Sequence, residues 1–80
     1  MHLDQVAVVV MYTKKLHEDG TPYHVAEYVP EHAYYGSGAA SDAQRAMEAA
    51  NELNGMYLTP ERSYGAVRVD LEEAINEGLL

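Results

Sequence analysis

Eighty residues carrying thirteen carboxylates against five lysines and arginines, a net charge of −8, make one acidic domain near the lower size limit for folding without a metal or a disulfide. The charge excludes partners such as nucleic-acid phosphates and anionic lipid and steers the chain toward basic protein surfaces. With no cysteine there is no disulfide framework, which fits a reducing cytosol, and the chain must be held by its core or by self-association.

Gln5 to Tyr12 reads Gln-Val-Ala-Val-Val-Val-Met-Tyr, a β-branched run that predicts a central strand buried on much of both faces. Asp19-Gly20 supplies the positive φ of a hairpin turn, and Tyr23 to Val29 predicts the returning strand. A two-residue turn there sets Leu16 opposite Tyr23, Tyr12 opposite Glu27 and Val10 opposite Val29. Pro30 stops that strand, and His32 to Gly38 can hold a short third one before the loop Ser37-Gly38-Ala39-Ala40.

Ser41 with Gln44 has the form of a capping box and predicts a helix over Asp42–Asn54. Ala43, Ala46, Met47, Ala50 and Leu53 make its apolar stripe, and Asp42, Arg45, Glu48 and Glu52 lie on the other side. A stripe made mostly of alanine lets a helix approach a sheet closely, and Asn54-Gly55 closes it. Tyr64 to Leu71 alternates as a strand, with Val67, Val69 and Leu71 on one face and Tyr64, Arg68 and Asp70 on the other. Asp70 and Glu73 resemble a second cap, and Leu71, Ala74 and Ile75 give a short last helix ended by Gly78. The expected fold is α+β with element order β-β-(β)-α-β-α: residues 1–80 form a single domain, an antiparallel sheet of three or four strands packed by one amphipathic helix, with a short C-terminal helix.

Dedicated chemistry is sparse. His2, His17, His24 and His32 are dispersed without H-x-x-x-H or H-E-x-x-H spacing, so no metal and no cofactor is expected. Gly36-Ser37-Gly38 lacks the G-x-S-x-G pattern of a serine nucleophile, and with no lysine near it the loop reads as helix capping, not as a phosphate cradle. Glu72-Glu73 at a helix start favours the helix dipole more readily than it does acid–base work. The chain is therefore expected not to be an enzyme.

Two features point to binding. After Arg68 come Asp70, Glu72, Glu73 and Glu77 with no cation among them, and Glu48 and Glu52 extend the acidity along the first helix, where Arg45 partly neutralises Glu48. Seven tyrosines and no phenylalanine or tryptophan indicate rings whose hydroxyls reach water or a partner, Tyr34-Tyr35 above all, because an extended pair points to opposite faces. The candidate partner-binding residues are Tyr34, Tyr35, Glu48, Glu52, Glu72, Glu73 and Glu77. The start Met1-His2-Leu3-Asp4 lacks the basic region of a signal peptide, and Val6–Met11 is too short to span a bilayer. A soluble, cytoplasmic protein without membrane contact is expected.

Three resemblances bear on function. Tyr35-Gly36-Ser37-Gly38-Ala39-Ala40-Ser41 leading into an alanine-rich helix resembles a double-stranded-RNA-binding domain. Asp42-Ala43 stands where that family has a lysine pair, so RNA binding is excluded on charge. Residues 5–55, with Tyr23-His24-Val25-Ala26-Glu27-Tyr28-Val29-Pro30-Glu31 before a loop and an amphipathic helix, resemble the β-β-β-α core of HicB-type antitoxins. That resemblance implies a small basic RNA-cleaving toxin as partner. Ala33-Tyr34-Tyr35 replaces that family's Pro-Gly-Cys-like segment, and no DNA-binding extension follows. Size, acidity and lack of catalytic motifs resemble phage-encoded inhibitors of host defence of the anti-CRISPR type, which implies a basic nucleic-acid-binding protein or complex as partner, in the cytoplasm of a host cell. A structural homodimer without catalytic role is the remaining expectation, a second copy covering the sheet face that the helix leaves open.

Overall fold

The valine run is the middle strand of the protein, whose computed structural model describes residues 4–57 and 59–80. The elements are β1 (Gln5–Leu16), β2 (Pro22–Tyr34), α1 (Ala39–Met56), β3 (Arg62–Asp70) and α2 (Leu71–Asn76). The strands form an antiparallel sheet in the order β2-β1-β3, with α1 on one face and α2 on the other, an α+β fold. Val6 to Val10 are all buried because β1 has a strand on each side and side chains packed over both faces. A continuous valine run is what a strand in that position requires.

The hairpin departs from expectation by one residue, and the cause is local. The His17 carbonyl accepts from Gly20 N at 2.9 Å and His17 N donates to the Thr21 carbonyl at 2.9 Å, which closes a three-residue loop, Glu18-Asp19-Gly20. Gly20, at φ 88°, takes the left-handed place that this loop class reserves for glycine. Asp19 Oδ1 accepts from Thr21 N at 2.9 Å, and that bond holds the carboxyl below its ordinary pKa. The extra loop residue shifts the register, so Leu16 faces Pro22, Tyr12 faces Ala26 and Val10 faces Tyr28. A slip of one exchanges the two faces of β2, which puts Tyr28 and Ala26 on the same side as Val10.

Pro30 produces a bulge and does not end the strand. Val9 pairs with Val29 and Val8 with Ala33, leaving Pro30, Glu31 and His32 without partners on β1. Proline has no N–H for the ladder, so β2 bows out there and rejoins β1. The expected separate third strand over His32–Gly38 is therefore the end of β2, which stops at Tyr34. At the other end the β1–β3 ladder stops at Thr13↔Arg62, followed by one last bond from Lys14 N to the Glu61 carbonyl at 2.7 Å, and beyond it β1 and β2 continue as a two-stranded arm.

On the first face Ala49 and Ala50 pack against Val9, with Val29, Tyr34, Leu53 and Tyr64 around them. Small residues at the centre and large ones at the rim let the helix axis come close to the sheet without leaving voids. Ala49 is buried and Met47 is 56 % exposed, the reverse of the expected stripe. The helix starts at Ala39 behind Gly38, not at a Ser41 cap, and Gln44 Nε2 donates to Glu48 Oε2 at 3.3 Å instead of reaching back to Ser41. α1 has no side-chain cap bond; Asp42, 3 % exposed, instead ties down the preceding loop, its Oδ1 accepting from Ser37 N at 3.2 Å. Its charge also lies in the first turn, where the helix dipole favours it.

Asn54-Gly55 does not close α1, which continues to Met56. The Asn54 amide is bound elsewhere: its Oδ1 accepts from Tyr64 N at 2.8 Å and its Nδ2 donates to the Tyr64 carbonyl at 2.9 Å. One side chain thus substitutes for a strand neighbour on the outer edge of β3 and blunts that edge.

On the second face Val6, Val8, Val69, Ala74 and Leu79 form the core, with Tyr28, Ala33, Val67 and Leu71 against it. Asp70 occupies the cap position of α2 without a side-chain cap bond, and Glu73 is bound to Tyr28 instead of reaching back. The other end is tightly made. Leu79 N donates to the Ala74 carbonyl at 2.8 Å and Gly78 N to the Ile75 carbonyl at 3.2 Å, with Gly78 at φ 74°. This is a Schellman stop, and its usual apolar contact is the burial of Leu79 beside Ala74.

Candidate partner-binding surface

The antiparallel pairing of β1 with β3 gathers the carboxylates. Gln5 lies opposite Asp70, so the residue before β1 and the residues after β3 meet at one end of the sheet. Leu71 N donates to the Asp4 carbonyl at 3.1 Å and fixes that junction. The result is an open groove of about 810 Å³ lined by Asp4, Asp70, Leu71, Glu72, Glu73, Ile75, Asn76 and Glu77. Among the described residues five carboxylates and no cation line it, beside an isoleucine that is 57 % exposed. Such a site offers a cationic, partly apolar segment both charge and contact area.

Two tyrosine hydroxyls orient this cluster. Tyr28 OH donates to Glu73 Oε2 at 2.8 Å, and Tyr35 OH donates to Asp4 Oδ2 at 2.9 Å. Ionising either phenol would set two anions against each other. The bond to Glu73 therefore raises Tyr28 above the ordinary tyrosine pKa, with desolvation and the charges of Glu73 and Glu77 adding to it. The bond to Asp4 raises Tyr35 in the same direction. In return each phenol fixes one carboxylate, leaving its remaining lone pairs for a partner.

The sequence-derived candidates separate into three places. Glu72, Glu73 and Glu77 lie together in the groove, and exposed Tyr35 is tied to it through Asp4. Glu48 and Glu52 are exposed on α1, which sits across the sheet from α2, so they do not extend the same surface. Tyr34 is half-buried under α1. The guanidinium carbon of Arg45 stands 4.9 Å from its ring centroid, and its hydroxyl lies 3.1 Å from His32 Nδ1. Arg45 thus spends its charge on Tyr34, and on Ser37 Oγ at 3.5 Å, instead of on Glu48.

Asp4 and Tyr28 were missing from the sequence-derived set. Only the long-range pairing of β1 and β3 brings Asp4 to the acidic run, and only the shifted hairpin register turns Tyr28 toward α2. At the arm His17 stacks on Tyr23, with ring centroids 4.3 Å apart, and His24 lies opposite Lys14. His2 lies outside the described residues. Among the described residues no group of three or more histidines and carboxylates is placed to hold a metal ion. No helix among them is long and apolar enough to cross a membrane. Compared with protein-family models, with curated proteins and with solved structures, the chain matches none.

Proposed function

We propose that this chain is a non-enzymatic, acidic binding protein that inhibits a basic, nucleic-acid-handling protein, in the manner of phage-encoded inhibitors of host defence. The observation that carries this reading is the groove at α2, where Asp4, Asp70, Glu72, Glu73 and Glu77 surround exposed Ile75 with no cation between them among the described residues. A surface that accepts nucleic acid offers lysines and arginines beside apolar patches, and this groove presents the opposite charge in the same mixture. Electrostatic attraction of this kind accelerates association and weakens with salt over a Debye length of about 10 Å at 0.1 M. Tyr35 adds aromatic contact area at the edge of the groove.

Capture from a host-cell lysate with the chain as bait, eluted by a salt gradient, tests the reading. The expected result is a nucleic-acid-binding protein released at moderate salt, retained by a Glu48→Lys/Glu52→Lys bait and lost by a Glu72→Lys/Glu77→Lys bait. Recovery of a small basic RNase instead would assign the antitoxin role. No basic protein on the wild-type bait, or equal recovery on both variants, would remove the groove from the hypothesis.

A further inference from the structure

The second face of the sheet is only half covered. α2 spans six residues, about 9 Å of helix, and it covers the rows of Val6 and Val8. Beyond it lies a groove of about 470 Å³ whose lining includes Val10, Tyr12, Ala26, Tyr28 and Val67, with one charge of each sign, Glu27 and Arg68, that offset each other, and with Glu73. The Tyr12 ring lies over Gly65, where a Cβ would come within 3.2 Å of Tyr12 Cε2, so the floor is flat at that point. By strand alternation Lys14, Leu16 and His24 continue the same face onto the arm, and Leu16 is 64 % exposed.

This face is polar along its length. At its α2 end stands Glu73, bound to Tyr28 and lining this groove. At its arm end stand Lys14 and His24, opposite each other in the β1–β2 register. A uniformly basic partner would be repelled at one end and a uniformly acidic one at the other. The complementary surface is the same layout reversed, and a second copy turned by half a revolution supplies it.

We infer that two copies of this chain pack face to face through the open half of the sheet, about a two-fold axis over the Tyr12 and Ala26 row. From the Val10 row to the Leu16 row is about 20 Å of strand, enough to seat the α2 turn of the partner beyond the axis. Packed sheets stand about 10 Å apart, close to the thickness of one helix, so each α2 fills the layer between the sheets at its own end. Leu16 of each copy is then covered by the partner, and Lys14 and His24 meet the partner's Glu73. By helical spacing Glu72 and Ile75 project from the other flank of α2 and stay open for the partner proposed above.

Sedimentation velocity over a dilution series of the full chain, with far-UV circular dichroism to check folding, decides this. The expected result is a wild-type dimer, a folded monomer for Ala26→Arg at the axis, and dissociation about tenfold easier for Lys14→Glu or Glu73→Lys alone. The double variant Lys14→Glu/Glu73→Lys keeps the net charge of the wild type, and its dimer should return. A wild-type monomer at every concentration overturns the inference. A dimer indifferent to Ala26→Arg, or a double variant no better than the singles, also overturns it and moves the contact to the free edge of β2.

Discussion

The two faces of the sheet start from the same strand and are finished differently. Val9 lies under an eighteen-residue helix whose alanines rest on it, with tyrosines and leucine closing the rim. Val6 and Val8 lie under six residues of α2 and the Leu79 that follows, and past them the face is open. Burial of five consecutive residues, Val6 to Val10, therefore does not mean equal protection of both faces. On the α1 face a helix passes over the strand, and on the α2 face Val10 is shielded by Tyr12 and Tyr28, side chains of the sheet itself. The α1 face is thus covered by one long element, and the face covered by a short one carries the carboxylate groove.

A substitution that pushes α1 off the sheet should have the largest effect. Ala46 has no solvent exposure, and the extra atoms of Ala46→Leu have no space unless the helix lifts. Overpacking of this kind costs about 3 kcal/mol, at the upper end of its usual range because the backbones are close. Urea unfolding should show one cooperative transition at a lower midpoint, since every strand contributes to the face that is disturbed.

The α2 face should respond less and more locally. Leu79→Ala removes the side chain that anchors α2 and completes its Schellman stop, at a cost of about 2 kcal/mol, the low end for a leucine core truncation. Hydrogen exchange should then speed up at Ala74 to Leu79 while the amides of α1 keep their protection. Equal loss of protection in both helices would mean that the two faces behave as one cooperative unit, and the contrast between them would fail.

The contrast was partly legible in the sequence. The valine run, the alanine helix and the alternation of β3 identified the central strand, a neighbour and the covering of one face, because each is a local pattern of many residues, whereas the packing of α2 on the other face was not read. What failed rested on single residues with two uses. Gly20 suits a two-residue or a three-residue loop, and the choice turned β2 over. Pro30 can end a strand or bulge it. Asn54 before glycine reads as a helix end until Tyr64 arrives to take its amide. The acidic groove was half visible as the run Asp70 to Glu77, and its other half, Asp4, is sixty-six positions away from Asp70 in the chain and adjacent only through strand pairing.

The smallest effect tests whether the α2 face is held by its phenol as well as by its core. Tyr28→Phe deletes the donor to Glu73 while keeping the ring over Val10, and for a bond this open to solvent the loss should stay below about 1 kcal/mol at neutral pH. The dependence on pH identifies it better than the size does. The folded pKa of Tyr28 is raised, so its contribution is present in full below the pKa of an unfolded tyrosine, about 10, and is lost as pH rises through the higher folded value. Wild type and Tyr28→Phe should therefore differ by a constant amount across neutral pH, and the advantage of the wild type should shrink above pH about 10. Ultraviolet titration should lose one late-ionising equivalent in the variant. If the late equivalent survived in Tyr28→Phe and disappeared in Tyr35→Phe, the bond to Asp4 would be the stronger of the two. The acidic groove would then be braced from the start of β1 and not from the open face of the sheet.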